Sequence, residues 1–465
     1  MTVPTPLATS RSVLALALPM TLAHVTTPLL GLVGAMVIGR LGDAALLGAI
    51  ALGAVIFDAI FWSFGSLRMA TAGLTAQAVG ARDAGEIDRT LARALAAAAL
   101  VGLAIVLAQV PIATFAFRVS GASPEVVAGL STYFHARIFA APFTLANYAI
   151  LGSVLGRGRT DLGLAIQVAI NLANIALTLV LVLGADLGVV GAGLATVVAE
   201  AAGTGLGLYV LARLGSRPLR VPLQAIRDPL ALARMLSVNA DVMIRTLLLV
   251  ASIALFSALG ARAGDVTLAA NAVLWNLFLV GGFFLDGFAT AAETLCGQAI
   301  GAHDERAFRR AARLSLAWSL AFGGAIAGLF FLGGHRFIDA VTTNAEVRET
   351  ARLYLLPAAL APFVAAVPFA FDGIYVGATW TRAMRNLMLA ATLAYGVILA
   401  ATQGAGWGNA GLWLAFLALL GARGIGQALA YPGLVARSFT TPVPPSATLV
   451  AGGGGADLRL GRHDA

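Results

Sequence analysis

The sequence QAVGARD at residues 77–83 recurs almost unchanged as QAIGAHD at residues 298–304, 221 positions further along the chain. The agreement extends beyond this motif, because Ala-Pro-Phe at 141–143 recurs at 361–363 and Gly-Asp at 42–43 recurs at 264–265. These two further repeats have nearly the same spacing as the first. The chain is therefore a duplication of one unit of about 220 residues.

The composition requires a membrane environment for both copies. The mean hydropathy is +0.89, with 59% hydrophobic and only 11% charged residues, whereas about a quarter of the residues in a soluble domain are charged. A lipid interior leaves backbone groups to be satisfied within each segment, and apolar runs without a period of two favour helices over a barrel. We therefore expect an all-α integral membrane protein.

Twelve apolar stretches are long enough to cross a bilayer, and six fall in each repeat. Copies with an even number of spans enter the membrane from the same side, which predicts two six-helix lobes related by a pseudo-twofold axis along the membrane normal. A repeat of whole bundles favours a transporter that works by alternating access between its lobes. The expected spans are 14–38, 45–67, 91–115, 129–153, 162–184, 188–212, 236–260, 267–293, 312–333, 350–376, 386–402 and 410–436.

The same pattern divides the chain into regions. Residues 1–212 form the expected N-lobe and 236–440 the expected C-lobe, and the proline-containing polar stretch 213–235 is the linker between them. Residues 441–465, rich in proline and glycine, are expected to be a disordered cytoplasmic tail.

Arginine distribution predicts the orientation. If the N-terminus is cytoplasmic, the predicted cytoplasmic loops hold 18 arginines and the opposite loops hold 6, and the positive-inside rule selects this arrangement. We therefore expect a multi-pass protein of the bacterial cytoplasmic (inner) membrane with both termini cytoplasmic. The arginines are scattered over short loops, which argues against a nucleic-acid partner.

Several function classes are disfavoured. The chain contains no lysine, so it cannot contain a Walker A phosphate loop. No catalytic constellation indicates an enzyme, the five histidines show no metal-ligand spacing, and no cofactor motif is present. We expect no metal site and a monomer whose partners are small amphipathic molecules and the lipid bilayer.

Acids within the spans are candidates for ion coupling, because buried charges are costly in lipid. Asp372 ranks first, since it follows Pro368, and proline frees a carbonyl group in a helix. Asp286 and Glu293 are seven residues apart and share one helix face. Glu200 lies one turn beyond Thr196. Structural ion pairs with intramembrane arginines are the open alternative for all four acids.

Five sequence motifs make the chain resemble a known family. They are NADVMIRT at 239–246, LAANAV at 268–273, FLDGF at 284–288, AAETLCGQAIG at 291–301 and DGIYVGAT at 372–379. Together they resemble the multidrug and toxic compound extrusion (MATE) family, and within it the DinF-like subfamily. The resemblance covers about residues 12 to 437. It implies a twelve-helix secondary antiporter that exports amphipathic, often cationic compounds in exchange for protons or sodium ions, without an organic cofactor.

The resemblance also implies a polar N-lobe cavity, from which this chain departs at two positions. Gly34 and Thr178 stand where family members commonly carry aspartates. The polar remainder of the cavity is retained as Asn147, Asn174, Thr178 and Thr196. Pro19 matches the proline at which the first helix of the family can bend. The chain thus keeps the polar shell of the cavity but lacks its two usual carboxyl groups.

Three functional hypotheses follow. Coupling depends on Glu200 or on the C-lobe acids, chiefly Asp372 with Asp286 and Glu293. Alternatively, the loss of the N-lobe aspartates leaves a weakly coupled facilitator. A third possibility is a flippase for lipid-linked precursors, which would need a strongly basic cavity for phosphate groups. A repeat spacing of 220 places Gly152 opposite Asp372, so the proposed C-lobe chemistry has no copy in the N-lobe.

Overall fold

The computed structural model describes residues 8–39 and 43–440, and for Val25, residues 27–35 and Ile38 it describes the backbone alone. The regular elements of this part of the chain are all helices. Eleven of them are long and apolar enough to cross a membrane. With the 30-residue first helix, Ser10–Gly39, they make the twelve helices that the sequence predicts. The expected tail 441–465 lies outside the described residues.

The first six helices form the N-lobe. Three of them contain irregular turns: α2 is interrupted at Phe64 and Gly65, α4 contains a 3₁₀ turn at Ile138–Ala140, and α5 ends in a π-helical turn at Leu179–Gly184. Irregular turns of this kind often accompany functional sites. The helices are α1 (Ser10–Gly39), α2 (Ala44–Gly80), α3 (Ala84–Leu107), α4 (Pro124–Gly156), α5 (Thr160–Gly184) and α6 (Gly188–Arg213).

The C-lobe contains the second six helices. Its first helix begins at Pro229, within the stretch expected to be linker, because Asp228 caps it by accepting hydrogen bonds from two backbone N–H groups of the first turn. Counting apolar stretches in the sequence does not detect this polar first turn. The helices are α7 (Pro229–Arg262), α8 (Asp265–Gly301), α9 (Glu305–Val341), α10 (Leu355–Gly377), α11 (Thr381–Gly404) and α12 (Gly408–Thr440).

The repeated motif forms the corner between the second and third helix of each lobe. Asp83 accepts a hydrogen bond from the backbone N–H of Glu86 at 2.8 Å, and Asp304 accepts one from that of Ala307 at 2.9 Å. The preceding residues, Arg82 and His303, have positive φ angles of 57° and 54°. The aspartate is therefore repeated because it caps the next helix after a left-handed turn.

The helices α1 and α10 remain continuous at prolines that the sequence marks as possible bends. α1 runs through Pro19 and α10 runs through Pro368. In α1, Pro19 cannot bond the carbonyl of Ala15, and the hydroxyl of Thr160 donates to that carbonyl at 3.4 Å. A neighbouring helix thus compensates for the missing backbone N–H.

The two copies of the motif meet each other across the lobes. A Cβ atom at Gly80 would overlap the backbone carbonyl of Gln298, and one at Gly301 would overlap that of Gln77. Only glycine allows the ends of α2 and α8 to approach so closely. The contact is reciprocal, as a twofold axis between the lobes requires.

Side-chain hydrogen bonds follow the same symmetry. The Gln77 amide donates to the carbonyl of Gly377 at 2.8 Å, and the Gln298 amide donates to that of Gly156 at 3.2 Å. Each pair is related to the other by the same shift along the chain as the repeated motif. Together with the packed glycines, these bonds form the seam, and the end of the molecule where it lies is called the Gln77 end.

The lobes touch mainly at the Gln77 end. The second segment of α2, Ser66–Gly80, packs on α7, α8 and α10, whereas its first segment, Ala44–Ser63, makes only a marginal contact with α7. α1 packs along α8, where residues 287–294 are all buried. The lobes are therefore closed against each other at one end.

Candidate functional site

A polar group in the N-lobe surrounds Glu200 of α6. The side-chain amide of Asn147, from α4, donates to the Glu200 carboxylate at 2.6 Å and to its backbone carbonyl at 2.9 Å. The Thr204 hydroxyl in turn donates to the amide oxygen of Asn147 at 3.0 Å. Glu200 is half-buried and Asn147 is buried. The structure thus holds a carboxyl group in the N-lobe by neutral hydrogen bonds.

A second polar group lies one turn away along α6. The Asn174 amide donates to the Thr196 hydroxyl at 3.1 Å, and the Thr178 hydroxyl donates to the amide oxygen of Asn174 at 3.3 Å. Thr196 and Glu200 are four residues apart and connect the two groups. Gly34 lies in the part of α1 for which only the backbone is described.

Glu200 has no basic partner in the part of the chain that the structure describes, where no ion pair includes it. Arg137 acts on Glu200 electrostatically and also acts on Asp58. Arg137 donates to the Tyr133 hydroxyl at 2.8 Å, and its guanidinium lies 4.5 Å from the ring centre of Phe57. One arginine thus acts on two acids without forming an ion pair with Glu200.

Asp372 has the opposite surroundings. Arg245 of α7 and Arg423 of α12 both form ion pairs with the same carboxylate oxygen, and the Gln427 amide donates to the other oxygen at 2.9 Å. Asp372 is 4% exposed and Arg423 is 1% exposed. Two buried arginines share one carboxylate, so the geometry favours the ion-pair interpretation that the sequence leaves open.

This geometry bears on the first of the sequence candidates. A carboxylate between two guanidinium groups compensates buried positive charge that is costly to leave unpaired. Asp372, placed first by the sequence, thus joins α7, α10 and α12 through its ion pairs, and its part in coupling stays a prediction. Pro368 remains in a continuous helix four residues before it.

Asp286 and Glu293 lie on the side of α8 that faces the N-lobe. The Asp286 carboxylate is 3.4 Å from Nε2 of His24 on α1, and its side chain is 42% exposed. Glu293 is only 3% exposed, and its Oε1 has no hydrogen-bond partner. Arg68 of α2 acts on Glu293 electrostatically. The structure brings these two acids to the boundary between the lobes, as their shared face predicts.

Sequence reasoning does not assign His24 and Gln427 to these groups, and it identifies Arg245 and Arg423 as intramembrane bases without naming the acid that each pairs with. Their partners are far away along the chain, since Arg245 and Asp372 are 127 positions apart and His24 and Asp286 lie in different lobes. The internal repeat does not reveal them either, because the corresponding positions in the other copy of the unit carry different residues. In the described part of the chain, no group of histidines, cysteines and acids could hold a metal ion.

Comparison with known proteins identifies the family. A family model described as MatE matches residues 19–180 and 242–402, one match in each lobe. DNA damage-inducible protein F of Escherichia coli is 35% identical over 425 residues, which cover 89% of this chain and 90% of that protein. The probable multidrug resistance protein NorM of Bradyrhizobium diazoefficiens is 28% identical over 366 residues, which cover 74% and 76%.

Solved structures share the fold. One described as the outward-facing conformation of a multidrug resistance MATE family transporter of the MOP superfamily superposes with a TM-score of 0.81. The superposition covers 93% of this chain and 97% of that chain, at 18% sequence identity. Because both repeats match the family model and a relative aligns along nearly the whole chain, this multi-pass membrane protein belongs to the MatE family of multidrug and toxic compound extrusion transporters and is not an enzyme.

Proposed function

We propose that the protein is a secondary active antiporter of the bacterial inner membrane that exports amphipathic, often cationic compounds in exchange for protons. Glu200 is the residue that carries the proton in this proposal. The observation that supports it is the difference between the two lobes: Asp372 is neutralised by two arginines, whereas Glu200 is held by neutral hydrogen bonds alone among the described residues. A carboxyl group of this second kind can exchange a proton without leaving an unpaired arginine.

The donors around Glu200 favour a proton over a sodium ion. The amide N–H of Asn147 faces its carboxylate, beside a hydrogen bond with the Thr144 side chain, and the Asn147 amide oxygen is turned to the Thr204 hydroxyl. A hard cation needs several oxygen ligands around it. An N–H donor that contacts the carboxylate directly repels a metal ion, but it stabilises the carboxylate after the proton has been released.

The closed seam fits one state of an alternating-access cycle. The loops at the Gln77 end belong to the arginine-rich side, which the positive-inside rule assigns to the cytoplasm. Lobes closed on that side and separated on the other correspond to an outward-facing state. The superposed transporter structure is likewise described as outward-facing.

Glu200→Gln tests the proposal. The variant keeps a side chain of the same size but cannot exchange a proton, so we expect it to fold and to lose efflux driven by a pH gradient. The measurement is dye efflux from inside-out vesicles under a pH gradient, a sodium gradient or neither. Glu349→Gln is the matched control, because Glu349 lies in the short helix Ala345–Leu353, outside the spans and away from the polar groups of the site.

Other outcomes point to the alternatives. Transport by the wild-type protein that ignores both gradients would identify a facilitator, and transport driven by sodium alone would contradict the proton. A lipid-precursor flippase has less support, because three of the intramembrane arginines are already engaged. Arg245 and Arg423 bind Asp372, and Arg137 binds Tyr133 and stacks on Phe57.

A further inference from the structure

His24 and Asp286 form a polar contact between the lobes at the mouth of the seam. His24 lies on α1 and Asp286 on α8, with Nε2 and Oδ2 3.4 Å apart. The ring of Phe283, one turn before Asp286, stacks on the imidazole with an interplanar angle of 8° and a centroid distance of 6.5 Å. A carboxylate, an imidazole and an aromatic ring therefore lie next to one another between the lobes.

The contact lies where the buried part of α8 gives way to partly exposed side chains. After Asp286, residues 287–294 of α8 are all buried, and a Cβ atom at Gly287 would be 2.6 Å from the carbonyl of Ala17 on α1. At the contact itself, the side chains of His24 and Asp286 are 25% and 42% exposed, and Phe283 is half-buried. A solute entering between the lobes from the open end can reach Asp286 but not the buried Glu293.

Two arginines of neighbouring helices act on this contact electrostatically. Arg68 of α2 acts electrostatically on His24 and on Glu293. Arg245 of α7 acts on Asp286, but its guanidinium is bound to Asp372. α5 presents an uncharged group, since its Asn171 amide donates to the hydroxyl of Thr26 on α1.

Among the described residues, His24 is the group that forms an ion-pair contact with Asp286. A neutral imidazole leaves the partly exposed carboxylate without this paired positive charge. A protonated imidazole compensates that charge directly through Nε2–H.

We propose that Asp286 and Phe283 form a binding subsite for the cationic aromatic part of a substrate, and that His24 makes proton and substrate compete for it. With His24 neutral, the Asp286 carboxylate binds the substrate cation and the Phe283 ring stacks on its apolar part. When a proton from the open side binds to the imidazole, the imidazolium pairs with Asp286 and the cation is released. This inference rests on the proposed efflux of cationic compounds. It adds the site at which the substrate cation binds and the competition between proton and substrate at that site.

Competition of this kind gives exchange in the required direction. A proton that enters from outside displaces the substrate to the outside, and its later release toward the cytoplasm restores the negative subsite for the next substrate. The Asp286 carboxylate then cannot pair with the imidazolium and with the substrate cation at the same time. That exclusivity is what distinguishes antiport from leak.

Equilibrium binding of rhodamine 6G, an aromatic cation, to the purified full-length protein tests the subsite. Fluorescence anisotropy at about pH 5.5 and about pH 8 covers the range in which imidazole titrates. We expect the wild-type protein to bind the dye about tenfold more weakly at the lower pH, as expected for neutralising one close charge partner. His24→Gln should bind tightly at both pH values. His24→Arg and Asp286→Asn should bind weakly at both.

Two controls separate this inference from the proposed function. His135→Gln changes an exposed histidine of α4 and should retain the wild-type pH dependence. Glu200→Gln should also retain it, because Glu200 lies on α6 of the N-lobe and is absent from the subsite. A His24→Gln protein that still loses affinity at the lower pH would overturn the role of His24. Efflux that ignores a pH gradient would instead overturn proton coupling and leave the binding result intact.

Discussion

Asp372 and Glu200 are both intramembrane carboxyl groups, and their neighbours give them opposite properties. Asp372 compensates two arginines, one of which, Arg423, is 1% exposed. Glu200 accepts from the amide of Asn147. The same functional group is thus ion-paired in one lobe and held by an uncharged hydrogen-bond donor in the other.

Asp372→Asn should therefore destabilise the protein rather than only uncouple it. Removal of one partner from a buried ion pair costs about 3–5 kcal/mol, because the remaining charges lose their compensation. Asp372→Asn combined with Arg423→Met should recover part of this loss. Thermal unfolding of the detergent-solubilised protein measures both effects.

The matched control is Asp339→Asn, which removes a carboxylate 2.6 Å from Arg352 at an exposed site. An exposed pair contributes less than about 1 kcal/mol, so this variant should unfold near the wild-type temperature. If Asp372→Asn unfolded like wild type and lost only gradient-driven efflux, Asp372 would return to the coupling pathway.

At the residue scale, the sequence identifies the acids but not their partners. Asp286, Glu293, Glu200 and Asp372 stand out because charge is rare in apolar spans. Which of them is paired depends on contacts between helices, and these join residues that are distant along the chain, 127 positions apart for Arg245 and Asp372. One sequence without its homologues carries no signal for such pairs.

At the scale of helices, α1 depends on a neighbour at its proline. The hydroxyl of Thr160 donates to the carbonyl of Ala15, which Pro19 leaves without its helical partner. We expect Thr160→Val to lower the free energy of unfolding by about 1 kcal/mol. In a Pro19→Ala background, the new backbone N–H at position 19 donates to the carbonyl of Ala15. Thr160→Val should then lower the free energy of unfolding by less.

A double-mutant cycle on thermal unfolding measures this coupling. Thr114→Val is the control, because the hydroxyl of this exposed residue donates to the carbonyl of Val110 within the short helix Gln109–Ser120, which follows α3. Equal costs of Thr160→Val in both backgrounds would show that Thr160 does not replace the missing bond.

The helices also correct the alignment of the two repeats. Gly152 packs against the carbonyl of Arg68, and Gly373 packs against that of Ala289. The second pair follows the first along the chain by the same spacing as the two copies of the QAVGARD motif. Gly152 is therefore the counterpart of Gly373 and not of Asp372. That position belongs to Leu151. The Ala-Pro-Phe repeat has a spacing of 220, which means that α10 contains one more residue than α4 after this motif. Spans and repeats can be read from hydropathy, but a one-residue difference changes which side chain faces the cavity.

For the whole molecule, the seam at the Gln77 end must open if the lobes are to expose the other side of the membrane. The Gln77 amide lies 2.8 Å from the carbonyl of Gly377 and 3.3 Å from the hydroxyl of Thr379. Arg234, in the second turn of α7, donates to the amide oxygen of Gln77 at 2.7 Å. This glutamine therefore connects three helices of both lobes when the seam is closed.

We expect a short thiol cross-linker between Gln77→Cys and Thr379→Cys to stop efflux, and reduction to restore it. The native background is low, because the free cysteine of the described chain, Cys296, is fully buried. Asp88→Cys with Ser216→Cys is the control pair, since these side chains are 2.6 Å apart within the N-lobe region. Full efflux by the cross-linked Gln77–Thr379 pair would show that the seam does not open during transport.

The reciprocal seam also bears on the origin of the chain. A contact in which each half presents the same glutamine and glycine to the other is isologous, the kind of interface that two identical subunits form around a twofold axis. A free half-length ancestor would have used the same surface to bind a second copy of itself. A duplicated chain that keeps this surface keeps the seam, while other positions of the two halves are free to differ, as the ion-paired Asp372 and the hydrogen-bonded Glu200 do.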